Sequence, residues 1–104
     1  MITIRLEPQT HGQSTFKAFE DDGLVGSMLV HVSGNNLNAM HTEVDRAHEG
    51  KGIAHQLLDA MVAYARENKL RVTPLCPFVL AQFRRHPELY ADLWRAGGEG
   101  FTLS

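Results

Sequence analysis

The stretch Met40–Leu58, MHTEVDRAHEGKGIAHQLL, decides the fold, because it reads as a strand end, a glycine loop and a helix start in direct succession. Leu37–Val44 has strand-like content and ends on a β-branched residue. After the loop, Ile53, Leu57, Met61 and Ala65 recur every fourth residue, which is the period of a helix. Between the two lie Glu49-Gly50-Lys51-Gly52-Ile53-Ala54. Two glycines let the backbone approach a ligand closely, and the first turn of a helix leaves its amides unpaired. Free N–H groups in a tight loop form a nest for an anion, and the helix dipole adds about half a positive charge there. Such a loop suits phosphate.

Working outward, Ile2–Leu6 alternates as a half-buried strand that Pro8 is expected to end, and Thr15–Glu20 alternates again. Asp21-Asp22-Gly23 is a turn signal, so Leu24–Val32 completes an antiparallel hairpin. Ser33-Gly34-Asn35-Asn36 turns the chain into Leu37–Val44. The result is a meander of three to four antiparallel strands feeding the glycine loop. The helix is expected over about Gly52–Asn68, with Ala54, Leu58 and Val62 widening its apolar face. Leu70–Leu75 reads as a buried strand. Pro77 suits the first turn of a second helix whose inner side is Phe78, Val79 and Phe83. His86-Pro87 interrupts it, Glu88–Trp94 makes another short helical piece, and the glycine-rich 96–104 is expected to be a poorly ordered tail.

The 104 residues, 43% of them hydrophobic, are enough for one small core, so a single domain over 1–104 is expected. The net charge is −2 and the Lys and Arg residues are scattered, which is not the electrostatic footprint of a nucleic-acid binder. No apolar run reaches membrane-spanning length, and Met1–Leu6 lacks the order of a signal peptide. A cytoplasmic location is expected. The lone Cys76, which rules out an internal disulfide, agrees with it.

The run Glu49–Ala54 resembles the pyrophosphate loop of the GNAT N-acetyltransferases, whose pattern is Gln or Arg, two residues, Gly, one residue, then Gly or Ala. Gly52 and Ala54 fit it. His41-Thr42-Glu43-Val44 before the loop, with Leu75–Val79 and Arg84–Glu88 after it, look like a small, shortened branch of that superfamily. The resemblance covers about 16–93. It implies an α/β (α+β) fold: a mostly antiparallel mixed sheet, a central pyrophosphate-loop helix and one or two further helices, without the usual C-terminal strands. It further implies acetyl-CoA held between the splayed strands on either side of the helix, an amine acceptor, and no metal. Partner identity beyond acetyl-CoA and the oligomeric state are left open, and no nucleic acid or membrane is implied.

On this resemblance the cofactor contacts fall at Val44, Arg46, Glu49, Gly50, Lys51, Gly52, Ile53, Ala54, Cys76, Phe78, Phe83 and Arg84. Glu49 departs from the pattern. A carboxylate beside a pyrophosphate repels it, so either the backbone amides do most of the binding or Arg46 and Lys51 offset the charge. Glu43 and His41 share one strand face and are candidates for taking the amine's proton, against the plainer reading of a solvated and a packed residue. Cys76, at a helix start, is a candidate acetyl carrier, a pocket-lining residue or a small buried hydrophobe. Many GNATs carry a tyrosine acid seven residues beyond the start of this helix. Here that place holds Phe83. His41, His48 and His55 are spaced by seven but fall on a strand, a loop and a helix, which is not a zinc-site pattern. Arg84-Arg85 is either a solvated face or a phosphate contact. The reading is a small acyltransferase. Its competitors are a non-catalytic acyl-CoA-binding or protein-interaction module and a structural subunit of a larger enzyme.

Overall fold

The structure, a computed structural model, describes residues 1–95, so the expected tail lies outside the described residues. Strands β1 (Ile2–Pro8), β2 (Gln13–Glu20), β3 (Gly23–Ser33) and β4 (Asn36–Val44) form the antiparallel meander. Helix α1 (Ile53–Glu67) then carries the chain back, so that β5 (Arg71–Pro74) lies parallel to β4. The sheet order is β1-β2-β3-β4-β5. Helices α2 (Pro77–Arg85) and α3 (Pro87–Tyr90) follow.

The apolar stripe of α1 is the expected one. Ile53, Leu57, Leu58 and Met61 are buried against Phe16, Met28, Val30, Leu37 and Ala39 of the sheet. Burying each such side chain contributes about 1.5–3 kcal/mol, so this layer is the main attractive term holding helix to sheet. Gly26 shows how tight the seat is. A Cβ there would lie 3.1 Å from both Glu43 O and the Ile53 Cγ2 methyl.

β1 ends at Pro8, as expected, although Pro8 itself still pairs opposite Ser14. An edge strand tolerates proline because the missing N–H can face solvent. Phe78 is only half-buried, and Gln82 takes the buried place on the inner side of α2 beside Val79 and Phe83. Helix α3 stops at Tyr90 rather than running to Trp94. Val72 N–H donates to Leu93 O at 2.8 Å and Arg95 N–H to Val72 O at 2.7 Å, so the chain there pairs parallel to β5 instead. Edge backbone groups of β5 are paired in this way. The Arg71 guanidinium reinforces the arrangement, donating to Leu93 O and Trp94 O.

Arg66 ties α1 to the chain after α3, donating to Asp92 Oδ2 at 3.1 Å and to Leu89 O at 2.7 Å. That hydrogen bond holds the Asp92 carboxyl below its ordinary value and the Arg66 guanidinium above its own. A lowered carboxyl adds stability that is present above its unfolded titration and lost as pH falls through the folded one. The pair is exposed, so the contribution is small. Burial, with Asp59 adding to it, raises the Tyr90 phenol.

Helix α1 ends with Leu70 N–H bonded to Ala65 O at 2.8 Å and Lys69 in the left-handed region at φ 57°. This is the glycine position of a helix C-terminus. Lys69→Gly is therefore expected to raise stability by about 1 kcal/mol, read as a higher urea midpoint at unchanged slope.

Candidate functional site

The site follows from where β4 and β5 part. Their pairing runs only from Asn36↔Arg71 to Ala39↔Pro74, although β4 continues to Val44. By alternation Pro74 shares the outward-facing side of Val72, which bonds Leu93 and Arg95, so the backbone of residue 74 does not face β4. The last tie is Cys76 N–H to Ala39 O, 2.8 Å. Met40 has no partner on β3, since His41 pairs with Leu29 and Ala39 with Val30. Such a bulge shifts the alternation of the strand. Beyond it, Thr42 and Val44 pair with Met28 and Gly26, which lie beneath α1, and His41 and Glu43 take the opposite face.

Backbone direction is set in the same way. Asp45 N–H donates to Val25 O of β3 at 2.8 Å, so by alternation Val44 and Thr42 turn their N–H groups toward the side that β5 has left. A donor on a strand edge that is unpaired among the described residues thus borders the gap. Two helix starts face it as well. In α1 the first intrahelical bond is Gln56 N–H to Gly52 O, leaving the amides of Ile53, Ala54 and His55 without helical partners. No side chain caps either helix. The His55 ring meets Phe78 edge to face at 5.6 Å and its Nε2 lies 3.1 Å from Gln82 Oε1, which joins the start of α1 to α2. The C-terminal ends of adjacent parallel strands, each followed by a helix, are where α/β sheets bind ligands.

A groove of about 340 Å³ lies there, lined by Val44, His48, Glu49, Gly50, Gly52, Ile53, Ala54 and His55. Six of the residues expected at a cofactor are brought together in it. Gly50 and Gly52 sit at φ 86° and 77°, and the position a Cβ would take at either is open space. The glycines are therefore required by backbone conformation, not crowding, and the space beside them is free for a ligand. Arg46 and Lys51 are exposed on the same loop, and Lys51 Nζ lies 3.9 Å from Glu20 Oε1. Cys76 is buried, with Sγ 3.2 Å from Thr42 Oγ1. Phe83 is not at the groove. It is fully buried and stacked on Tyr90 at 4.6 Å. Arg84 lies seven residues along α2 from Pro77, about 10 Å from the helix start.

On the other face of β4, His41 Nε2 and Glu43 Oε2 are 2.9 Å apart and both side chains are exposed. Glu43 also borders a second, larger groove of about 650 Å³ between the ends of β3 and β4. The loop carries one arrangement not foreseen from sequence. Arg46–His48 forms a 3-10 turn that points His48 between two carboxylates, Glu20 and Asp45. Glu20 is distant in sequence and gives no local signal. Thr42 and Gln82 were likewise unmarked, because their partners come from other elements. The three evenly spaced histidines go to three separate places, and among the described residues no three His, Cys, Asp or Glu side chains converge as metal ligands. No described helix is long and apolar enough to cross a membrane.

Residues 15–93 match the family described as GCN5-related N-acetyl-transferase, and the chain belongs to that family. No curated protein matches it. Among solved structures it is similar to a GNAT family acetyltransferase from Elizabethkingia anophelis with acetyl-CoA bound, at 14% identity and TM-score 0.59 over 68% of this chain and 62% of that one. A ribosomal-protein-alanine N-acetyltransferase from Brucella melitensis biovar Abortus 2308 matches at 25% identity and TM-score 0.63, over 85% of this chain and 65% of its own. A probable acetyltransferase from Staphylococcus epidermidis matches at 16% and 0.59, over 69% and 71%. The chain thus spans less than two thirds of the first two.

Because Gly52 is left-handed with open space around it, Gly52→Ala is expected to cost about 1–2 kcal/mol through backbone strain alone. Chemical denaturation of the variant measures it.

Proposed function

We propose that this chain moves an acetyl group from acetyl-CoA to an amine by direct attack. The observation that carries the reading is the edge of β4 that is unpaired among the described residues, which runs from the glycine loop at one end to the His41–Glu43 pair on its far face. The amides of Ile53, Ala54 and His55 hold the pyrophosphate, with the helix dipole behind them. Val44 N–H, on the open edge, donates to the thioester oxygen and to the oxyanion that forms from it. Glu43, in contact with His41, takes the proton that the amine must lose, and the acceptor lies in the groove between the ends of β3 and β4. The C–N bond forms as the C–S bond breaks, and the departing thiolate is protonated from solvent, because Phe83, an apolar core residue, stands where the family resemblance implies a tyrosine acid in many members.

Direct attack is preferred over an acetyl-cysteine because Cys76 is 3% exposed and already in contact with the Thr42 hydroxyl. Incubation with acetyl-CoA alone is expected to leave the protein mass unchanged, and Cys76→Ala to retain turnover within about tenfold. An acetyl adduct at Cys76 that an amine discharges would reverse this assignment. A second reading, a CoA-binding module without catalysis, is favoured by Glu49 and by the missing phenol. A panel of amines separates the two. Turnover that drops about 100-fold or more in Glu43→Gln supports the enzyme, and CoA binding without turnover supports the module.

In calorimetry, Gly52→Val is expected to abolish CoA binding, since its side chain fills the space beside the loop amides. Glu49→Gln is expected to bind CoA as well as the natural protein or better, because it removes a repulsive charge.

A further inference from the structure

His48 is half-buried in the wall of the loop groove, and each of its ring nitrogens faces a carboxylate. Nε2 is 3.0 Å from Glu20 Oε1 at the end of β2, and Nδ1 is 3.1 Å from Asp45 Oδ2 just past the end of β4. A neutral imidazole carries a hydrogen on one nitrogen only, so both contacts can be hydrogen bonds at once only in the charged ring. In the neutral ring one nitrogen lone pair would point at a carboxylate lone pair, and that contact must open.

We propose that His48, in its charged form, is the positioning residue of the pyrophosphate loop and supplies the positive charge that Glu49 does not. The inference rests on the reading that this loop binds CoA. Among the described residues, the charged groups around the loop are Glu20 of β2, Asp45, Arg46, Glu49 and Lys51. Three carboxylates thus oppose two cations, and an incoming pyrophosphate meets a site of net negative charge. A proton on His48 cancels that excess. It also clasps the loop from two sides, because Glu20 anchors to the sheet through β2 and the Asp45 amide is bonded to Val25 O at 2.8 Å. Lys51 Nζ lies 3.9 Å from the same Glu20 oxygen, so that carboxylate is shared between the imidazolium and the ammonium. Since the bound anion favours the charged ring, binding takes up a proton, and affinity must fall as pH rises through the histidine range.

The test uses dephospho-CoA, which keeps the pyrophosphate but lacks the phosphate monoester that itself titrates near about pH 6. Calorimetric affinity of the full chain is expected to fall on the order of tenfold between about pH 6 and about pH 8. His48→Gln is expected to bind at the weak, high-pH level throughout. Glu20→Gln is expected to move the fall to lower pH, because the charged ring loses a partner. An effect that no variant is needed to see is the ¹⁵N spectrum of the His48 ring, which in the complex near about pH 7 should report a hydrogen on both nitrogens. A pH dependence that survives in His48→Gln, from His55 or elsewhere, or a neutral His48 ring in the complex, overturns the inference alone. Absence of binding to CoA and dephospho-CoA at every pH overturns the functional reading and this inference with it.

Discussion

The site depends on one constraint, that β4 and β5 are joined at their beginning and apart at their end. Four residue pairs and the Cys76 N–H bond to Ala39 O hold the join. Beyond it Met40 bulges out of register with β3, and β4 runs on with one edge unpaired among the described residues. A bare edge inside a domain is ordinarily a liability, since its N–H and C=O groups need partners. Here it lies between two helix starts and beside a groove, and on the proposed reading its free hydrogen-bonding groups are what a ligand would meet.

That arrangement persists because the opposite side of β4 is secured. Met28, Val30, Leu37 and Ala39 are fully buried under α1, so the strand cannot shift to close the gap without exposing this layer. The same packing sets the direction of α1 and hence where its free amides point. A stable hydrophobic layer and a polar opening are two consequences of a single strand whose two halves face different neighbours.

Electrostatics at the loop is more balanced than its glycine pattern suggests. Carboxylates at 20, 45 and 49 flank the glycine loop, and on the proposed reading the backbone amides and dipole work against them. His48 lies between Glu20 and Asp45, and Lys51 lies 3.9 Å from the same Glu20 oxygen, so the side chains of the loop contact one another. Binding at such a place is a competition between fixed dipoles and mobile charges.

The order of elements, the apolar stripe of α1, the glycine loop and the shared face of His41 and Glu43 were all legible in the sequence. Each rests on local periodicity or on one residue's backbone freedom, and neighbours in the chain suffice to express it. The family was legible for the same reason, through short blocks in order. Other features were decided by the tertiary structure. Phe83, legible as an inner residue of α2, is held away from the groove by stacking on Tyr90, the segment after α3 pairs with β5 because Val72 offers an unpaired edge, and His48 is clasped because Glu20 ends β2 beside the loop. These contacts join residues far apart in sequence, and their distances are set by packing, which no local pattern encodes.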